Sequence, residues 1–260
     1  MTVVISPHDT ISWSLYVLGE YELDAMRDTL TFLRSLGYCQ PRGRGTVIDL
    51  GANNGVTCVG MLHAGEFARA IAIEPEPGNH ALLQRNVVQN GLQGRVTSLA
   101  AAVSDVAGTL EFELSPQNFG DHRVRMVPMP GTWERFDERA RRTITVESAP
   151  LDTLLDRVPP EFTADIALVW MDVQGHEGYV VRGGGRLWAR GVPLVTEVWP
   201  YGIGRAGMSR ETFSATLASH WGTFAIRQRG GFEQHPISEI VDVYTDLERA
   251  GRFQNLILLP

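Results

Sequence analysis

Lysine is absent from this sequence, and all 23 of its basic side chains are arginines. P-loop nucleotide sites, Schiff-base catalysis and the tyrosine-lysine pair of some dehydrogenases each require a lysine. None of these three chemistries is therefore available to the chain.

Cysteine is scarce as well, because Cys39 and Cys58 are the only two and they form no CxxC pair. Two thiols cannot hold a structural metal ion without several further ligands. The formal net charge of −7 repels phosphate backbones, which argues against broad nucleic-acid binding and favours a small-molecule partner. The first residues lack the basic start and the unbroken apolar run of a signal peptide, and no later run could span a bilayer. We expect a cytoplasmic protein without a membrane partner.

Five short apolar runs have the pattern of buried parallel strands, because they are apolar on both faces and end at glycine, proline or polar residues. They are TVIDL (46–50), AIAI (70–73), VTSLAAAV (96–103), IALVWM (166–171) and PLVTEV (193–198). Helices with apolar residues at helical spacing are predicted between them and after them, at 79–90 and 209–221. Two further strands, at 224–227 and 256–259, would complete a sheet of about seven strands. This alternation predicts a doubly wound α/β fold.

The alternation is interrupted between the third and the fourth run. The segments 109–114 and 143–148 alternate apolar and polar residues, as half-exposed antiparallel strands do. They bracket a segment rich in proline, methionine and arginine, which we interpret as a lid or substrate loop. We therefore divide the chain into an N-terminal segment, residues 1–45, and one domain, residues 46–260, with an insertion at about 109–148.

A glycine-rich turn, VIDLGANNG at residues 47–55, connects the first strand to a helix. Gly51 and Gly55 allow the backbone to approach a ligand, and amides at the start of the helix can donate to it. The spacing differs from the GxGxxG of dinucleotide sites. Glu74 directly follows the second strand, where an acid can accept both ribose hydroxyls of an adenosyl group. The two features together predict an adenosyl site.

Further residues are expected around the same ligand. Asp49 either contacts the amino-acid portion of the cofactor or is satisfied by turn amides, and both alternatives put it at the site. Ala102, Val103 and Ser104 either wall the adenine or simply pack in the core. The predicted cofactor-binding residues are Asp49, Gly51, Ala52, Asn53, Gly55, Glu74, Pro75, Ala102, Ser104 and Asp172.

Several short motifs stand in order between about residues 45 and 200. They are IDLGANNG (48–55), IEPEP (73–77), Asn86 with Asn90, AVSD (102–105) with Gly108, LDTLL (151–155), MDVQGHE (171–177) and TEV (196–198). Together they resemble the FkbM family of S-adenosylmethionine-dependent methyltransferases. The resemblance implies a Rossmann-like class I methyltransferase fold, S-adenosylmethionine as cofactor, and O-methylation of a sugar, polyketide or other secondary metabolite. Gln174 departs from the family pattern, in which a glutamate is usual.

Two acids are predicted at the chemical end of this site. Methyl transfer is an in-line displacement that needs alignment and water exclusion, and a hydroxyl acceptor also needs a base or a cation. Asp172 follows the fourth strand, at the sheet edge where open α/β folds bind ligands, and is the first choice as base. Its alternative role is to hold the following turn. Glu197 ends the next strand and would face the same crevice if the two strands are neighbours, where the pair could hold a divalent cation.

Histidines provide further candidates for proton transfer or substrate contact. His176 has a suitable intrinsic pKa for proton transfer, or else is an exposed turn histidine. Asp121 and His122 lie on the predicted lid, and the family resemblance implies that they face the substrate. Trp199 is expected either in an apolar wall of the substrate pocket or in the core.

The predicted lid is locally cationic, with six arginines and four acids between residues 121 and 142. Such a segment could attract an anionic acceptor, or it could simply be solvated. Two other functions stay open from the sequence: N-methylation of a small molecule or peptide, and a cofactor-binding module without catalysis. The sequence also leaves open a homodimer and a requirement for a divalent cation.

Overall fold

The computed structural model describes residues 1–6, 10, 13, 17, 23–125 and 135–260. Its strands are β1 (Thr46–Leu50), β2 (Arg69–Ile73), β3 (Val96–Leu99), β4 (Ala102–Ser104), β5 (Gly108–Leu114), β6 (Arg123–Val124), β7 (Arg142–Pro150), β8 (Ile166–Met171), β9 (Leu194–Val198), β10 (Thr223–Gln228), β11 (Gly231–Pro236) and β12 (Gln254–Leu259).

Helices connect most of these strands. They are α1 (Leu23–Ser35), α2 (Val56–His63), α3 (Pro77–Gln89), α4 (Leu151–Leu155), α5 (Pro160–Thr163), α6 (Glu177–Arg182), α7 (Gly185–Trp188), α8 (Pro200–Arg205), α9 (Arg210–Ala218) and α10 (Ile240–Ala250). Short 3₁₀ turns occur at Phe119–Asp121, Glu138–Ala140 and Ile237–Glu239. In the part of the chain that the structure describes, no helix is long and apolar enough to cross a membrane.

The main sheet has eight strands in the order β11-β10-β12-β9-β8-β1-β2-β3. The five strands from β9 to β3 run parallel, and β12 lies antiparallel between β9 and β10. The doubly wound α/β fold predicted from the sequence is therefore confirmed. The predicted seven strands are all present, and the eighth is β11, a largely exposed hairpin partner of β10.

Helices pack on both faces of the sheet, because adjacent residues of each central strand point to opposite sides. In β1, Ile48 belongs to one apolar core together with residues of α6, α7, α9 and α10. The neighbouring Val47 belongs to a second core together with α1, α2 and α3. This arrangement explains why TVIDL and IALVWM are apolar on both faces, and both segments form strands with the predicted bounds.

A second sheet, in the order β4-β7-β5-β6, contains the predicted insertion. β5 and β7 pair in antiparallel, which confirms the antiparallel strands predicted from the alternating residues at 109–114 and 143–148. One prediction was wrong: the run 96–103 is not a single strand. Its first half, β3, pairs with β2, whereas β4 leaves the main sheet and pairs in parallel with β7. The buried residues of the run are Val96 in its first half and residues 101–103 in its second half.

The N-terminal residues pair with α3 through two asparagine side chains. Asn90 accepts from the Thr2 amide at 2.9 Å and donates to the Thr2 carbonyl at 2.6 Å. Asn86 accepts from the Val4 amide at 2.6 Å, and it also donates to the carbonyl of Asn54 at 2.8 Å. The asparagine pair of the sequence motif therefore connects residues 1–6 to the glycine-rich turn.

Candidate active site

The candidate site lies where three neighbouring central strands end. The pairing places Leu50 beside Ile73 of β2 on one side and beside Met171 of β8 on the other. The residues that follow these three positions, Gly51, Glu74 and Asp172, therefore stand in one row at the carboxyl edge of the sheet. Ligands of open α/β sheets bind at this edge.

A cleft of about 870 Å³ opens above this row. Its walls come from the ends of the central strands, from β4 and from the segment around the Phe119–Asp121 turn. The lining residues are Asp49, Gly51, Asn53, Thr57, Ile73, Glu74, Pro75, Ala101, Ala102, Val103, Phe112, Phe119, Gly120, His122, Val124, Trp170, Asp172, Val173, Gln174 and His176.

The glycine-rich turn requires its glycines for two different reasons. Gly51 has a φ of +75°, and a Cβ atom there would lie 1.9 Å from the carbonyl oxygen of Asp172. Gly55 has a φ of +82°, and a Cβ atom there would lie 2.3 Å from the side chain of Leu83 in α3. Gly51 therefore lets two strand ends approach each other in the cleft, whereas Gly55 packs away from the cleft against a helix.

Glu74 connects the turn to the end of β2. One carboxylate oxygen accepts from the amide of Asn53 at 2.9 Å, and the other accepts from the amide of Glu76 at 2.8 Å. Each oxygen keeps a second acceptor position, so the side chain can still accept hydroxyl groups of a ligand. Burial raises the pKa of Glu74 to about 7. The predicted convergence of the turn and this carboxylate is present in the structure.

Asp49 is buried in the floor of the same cleft. Its Oδ2 accepts from the amide of Cys58 in α2 at 3.0 Å, so this side chain both holds the helix start and lines the cleft. Burial raises its pKa to about 7. The two alternatives weighed from the sequence are therefore both compatible with its position.

The ten predicted cofactor-binding residues fall into two groups. Seven of them line the cleft: Asp49, Gly51, Asn53, Glu74, Pro75, Ala102 and Asp172. Ala52, Gly55 and Ser104 do not line it, because Ala52 is in the apolar core and Gly55 faces Leu83. The sequence reasoning missed Trp170, whose large side chain lines the cleft. Trp170 lies in β8, where it pairs with Asp49 of β1. Nothing in an apolar run distinguishes such a residue from core.

Asp172 is exposed to the cleft and is surrounded by protein atoms on its other sides. Gln174 donates from Nε2 to its Oδ1 at 2.5 Å. Burial raises the pKa of Asp172, and the hydrogen bonds from Gln174 lower it in part. The residue that departs from the family pattern therefore acts directly on the predicted base. Gln174 has a φ of +55°, which directs the turn across the end of β8.

His176 is a buried side chain at the start of α6, and not an exposed turn histidine. Its Nε2 lies 3.0 Å from the hydroxyl of Ser104, and its ring stacks on Tyr179. Burial lowers the pKa of His176 to about 4, so the ring is neutral at pH 7. Ser104 does not line the cleft, but it contacts His176, which does.

Glu177 holds the turn that carries these residues. Its Oε1 accepts from the amides of Val173 at 3.3 Å and Gly175 at 3.1 Å. The carboxyl is fully buried, and burial raises its pKa to about 7. Glu177 therefore positions the segment between β8 and α6, behind the surface that faces the cleft.

Glu197 is not among the residues that line the cleft. The strands β8 and β9 are neighbours, as the sequence argument required, and Glu197 is partly buried opposite Asn255 of β12. Across the described ranges, no cluster of three or more histidine, cysteine or acidic side chains has the arrangement of a metal site.

The predicted lid residues have different surroundings. His122 lines the cleft, packs against the rings of Phe112 and Phe119, and accepts from the amide of Ser115 at 3.0 Å. Asn79 of α3 donates to the carbonyl of Phe119 at 3.3 Å, which fixes this segment over the cleft. Asp121 is not a lining residue.

Asp121 belongs instead to a buried network of three arginines and three acids. Arg123 lies 3.1 Å from Glu113, 3.3 Å from Asp121 and 3.5 Å from Glu138. The other two arginines of this buried ion network pair with the same acids: Arg141 with Asp121 and Glu113, and Arg205 with Glu113 and Glu138. Two of the six arginines of the predicted lid, Arg123 and Arg141, therefore pair with neighbouring acids.

Trp199 lies in a separate groove of about 1140 Å³ and not in the cleft. It packs with Phe136 and Tyr201, and its ring faces the guanidinium of Arg123 at 5.1 Å. The groove also contains Arg205, which connects it to the buried ion network. The predicted aromatic wall therefore exists, but it surrounds the outer groove.

The chemistry of the cleft restricts its ligand. Three carboxylates line it, from Asp49, Glu74 and Asp172, and no arginine of the described residues does. Buried carboxylates ionise readily when a cation is nearby. The cleft therefore suits a ligand with positive charge and ribose-like hydroxyls, and it disfavours the pyrophosphate of a dinucleotide.

Comparison with known proteins gives a family. The family model described as the methyltransferase FkbM domain matches residues 49–221, which is more than half of the chain. The matched range begins at Asp49 and includes the cleft, the insertion and the strands up to β9.

Two named relatives are also methyltransferases. The 2-O-methyltransferase NoeI of Sinorhizobium fredii (strain NBRC 101917 / NGR234) is 30% identical over 150 residues, which cover 53% of this chain and 56% of that protein. The methyltransferase sdnD of Sordaria araneosa is 28% identical over 177 residues, with 60% and 68% covered. A crystal structure of methyltransferase FkbM from Methylobacillus flagellatus KT has a TM-score of 0.44 and 16% identity, with 98% of this chain and 56% of that chain covered. The chain thus spans just over half the length of two of these proteins.

Proposed function

The chain belongs to the FkbM methyltransferase family, and on that premise we propose that it transfers a methyl group from S-adenosylmethionine to a hydroxyl of a small molecule such as a sugar or polyketide. The observation that carries the proposal is the acidic cleft, in which the Glu74 carboxylate accepts a hydrogen bond from the amide of Asn53 in the glycine-rich turn. S-Adenosylmethionine has ribose hydroxyls and two cationic groups, a sulfonium and an ammonium. Its chemistry therefore fits the residues present.

We assign the cofactor-binding roles from the position of each residue in the cleft. Glu74 accepts the ribose hydroxyls with the acceptor positions that its two amide partners leave free. Ala101, Ala102 and Val103 provide an apolar wall for the adenine. Asp49 and the turn at Gly51 face the amino-acid portion. When bound, S-adenosylmethionine would supply an electrophilic methyl group, to which the acceptor oxygen bonds in line while the bond to sulfur breaks and S-adenosylhomocysteine leaves.

Asp172 is the proposed general base. It is exposed to the cleft and follows β8 in the same row as Gly51 and Glu74, where a hydroxyl acceptor beside the cofactor would meet it. Gln174 orients the carboxylate through the hydrogen bond to Oδ1. His176 is a weaker candidate, because burial lowers its pKa to about 4.

Calorimetry with purified protein tests the proposal. We expect S-adenosylmethionine to bind, and Glu74→Gln to weaken binding roughly 10- to 100-fold, because hydrogen bonds to a charged group contribute about 1.5–3 kcal/mol. Glu76→Gln is the matched control, since Glu76 is an acid two positions away that caps α3 and does not line the cleft. Its affinity should stay within about twofold of the wild type.

The same preparation then tests the reaction with methyl-labelled cofactor and matched hydroxyl and amine acceptors. We expect label in the hydroxyl compound only. Label in the amine compound alone would show that the protein is an N-methyltransferase and not an O-methyltransferase. A protein that binds neither S-adenosylmethionine nor its demethylated product would refute the proposal. In Glu74→Gln the side-chain NH2 group faces a backbone N–H donor, which destabilises the fold. Melting curves without ligand therefore show whether a loss of binding comes from a loss of folding.

A further inference from the structure

We propose that Arg123, Arg205 and His176 form a subsite that receives a second hydroxyl group of the methyl acceptor, beside the oxygen that is methylated. The inference rests on the proposed function and adds the residues that select the acceptor. It predicts that the acceptor has an oxygen-bearing carbon next to the reacting one, as a vicinal diol does.

The subsite is a narrow cavity with room for about one water-sized group, which we call the neck. It is lined by Arg123, Val124, Gln174, His176, Gly202, Arg205 and Ala206. Val124, Gln174 and His176 also line the cleft, and Arg205 also lines the outer groove that contains Trp199. The neck therefore lies between the proposed methyl-transfer site and a surface groove with aromatic walls.

Three of the lining side chains carry a buried polar atom without a hydrogen-bond partner among the described residues. They are Nη1 of Arg123, Nη1 of Arg205 and Nδ1 of His176. The arginine side chains are 3% and 9% exposed, and His176 is 4% exposed, so all three atoms lie on buried side chains. Buried polar atoms normally have partners, so three such atoms around one cavity indicate a polar ligand group.

The three atoms complement a hydroxyl group. Nε2 of His176 lies 3.0 Å from the Ser104 hydroxyl, and we assign the ring proton to Nε2 because that hydroxyl also faces an Asp105 oxygen at 3.4 Å. Nδ1 of the neutral ring then carries the lone pair, which can accept the proton of a ligand hydroxyl. The two guanidinium groups donate to the oxygen of that hydroxyl. Two donors and one acceptor match an alcohol, whereas a carboxylate has no proton for Nδ1.

The charge balance of the neighbourhood also favours a neutral group. The buried ion network contains three arginines, Arg123, Arg141 and Arg205, and three acids. An anion in the neck would leave a net negative charge in a buried place, which is costly. A fourth arginine, Arg125, pairs with Glu113 but is one-third exposed, where solvent screens its charge.

The test compares two probes that differ by one hydroxyl, trans-cyclohexane-1,2-diol and cyclohexanol. Their binding is measured by ligand-observed NMR on the wild-type protein, with and without S-adenosylhomocysteine. We expect roughly 10-fold tighter binding of the diol, because a site built to bond a hydroxyl rejects the analogue that lacks it. Arg205→Lys should abolish this preference, because it removes the guanidinium donor and keeps the positive charge.

Arg125→Lys is the matched control, since Arg125 pairs with Glu113 as Arg205 does but does not line the neck. It should keep the diol preference. Ala206→Leu provides a second test if Arg205→Lys fails to fold, because it fills the neck without removing any charge and should also abolish the preference.

The inference is overturned if the wild type binds both probes alike or binds neither, or if all variants keep the same preference. Calorimetry with S-adenosylmethionine on the same samples separates the two proposals. Cofactor binding without a diol preference refutes the subsite alone, whereas a diol preference without cofactor binding refutes the proposed function and leaves the neck as a diol site without a role in methyl transfer.

Discussion

The cleft and the buried ion network both contain buried carboxylates, but the partners of these carboxylates differ. In the cleft, Asp49 and Glu74 accept from backbone amides, which leaves acceptor positions and negative charge for a ligand. In the buried ion network, Glu113 and Glu138 face guanidinium groups of arginines. No arginine of the described residues lines the cleft, whereas guanidinium groups balance the acids of the network. The network is thus a structural brace, of which Arg123 and Arg205 also line the neck.

The largest effect should come from breaking the brace. Arg123→Met leaves Glu113 and Glu138 buried without their closest cation, which should cost about 3–5 kcal/mol of unfolding free energy. Arg157→Met is the matched control, because Arg157 pairs with Glu147 on the surface, with both side chains about half exposed. Its cost should be at most about 1 kcal/mol. Chemical denaturation of both variants measures the difference, and equal losses would contradict the contrast between brace and surface pair.

A smaller effect is expected at the asparagine that supports the cleft. Asn86→Ala leaves the carbonyl of Asn54 without its donor in a buried place, which should cost about 1–3 kcal/mol. It should also weaken cofactor binding, because Asn54 belongs to the glycine-rich turn. Asn90→Ala removes a similar contact with Thr2 at an exposed position and should cost less than about 1 kcal/mol. Denaturation and calorimetry on the two variants give the comparison, and similar results for both would refute a special role of Asn86.

The third prediction concerns pH and tests the two buried carboxylates of the cleft. Burial raises the pKa of Asp49 and of Glu74 to about 7, above their values in the unfolded chain. In their neutral forms these two groups contribute to the free energy of unfolding. This contribution is fully present below about pH 4 and is lost as the pH rises through about 7. A cationic ligand favours the ionised forms, so its affinity should increase with pH by up to about tenfold per unit for each proton released.

Melting curves at pH 5 to 8 with and without S-adenosylmethionine measure this coupling. The shift in melting temperature caused by the ligand should grow with pH, and Asp49→Asn should make it less dependent on pH. A shift that is the same at pH 5 and pH 8 would show that the cleft carboxylates do not release protons to the ligand.

The positions of Gly51, Glu74 and Asp172 could be predicted because parallel strands end at a common edge, so residues that follow successive strands are brought together. The run 96–103 was mispredicted because its apolar pattern contains no sign of a change from one sheet to another. The strand β11 was missed because its side chains are mostly exposed and have no apolar alternation.

The surroundings of the lid could not be predicted. Glu113, Arg123 and Arg205 come from β5, β6 and α8, and no sequence spacing indicates that they meet. The same reason explains Trp199, which follows a strand beside the site but turns towards Phe136 and the outer groove.

By itself, the sequence determined the doubly wound sheet, the glycine-rich turn and the carboxylate after β2, because apolar periodicity and local order along the chain encode them. Only the tertiary structure decided which charges are neutralised and which remain available to a ligand. The reason is physical: the pKa and the partners of a buried group depend on what the fold packs around it, and those neighbours are distant in sequence.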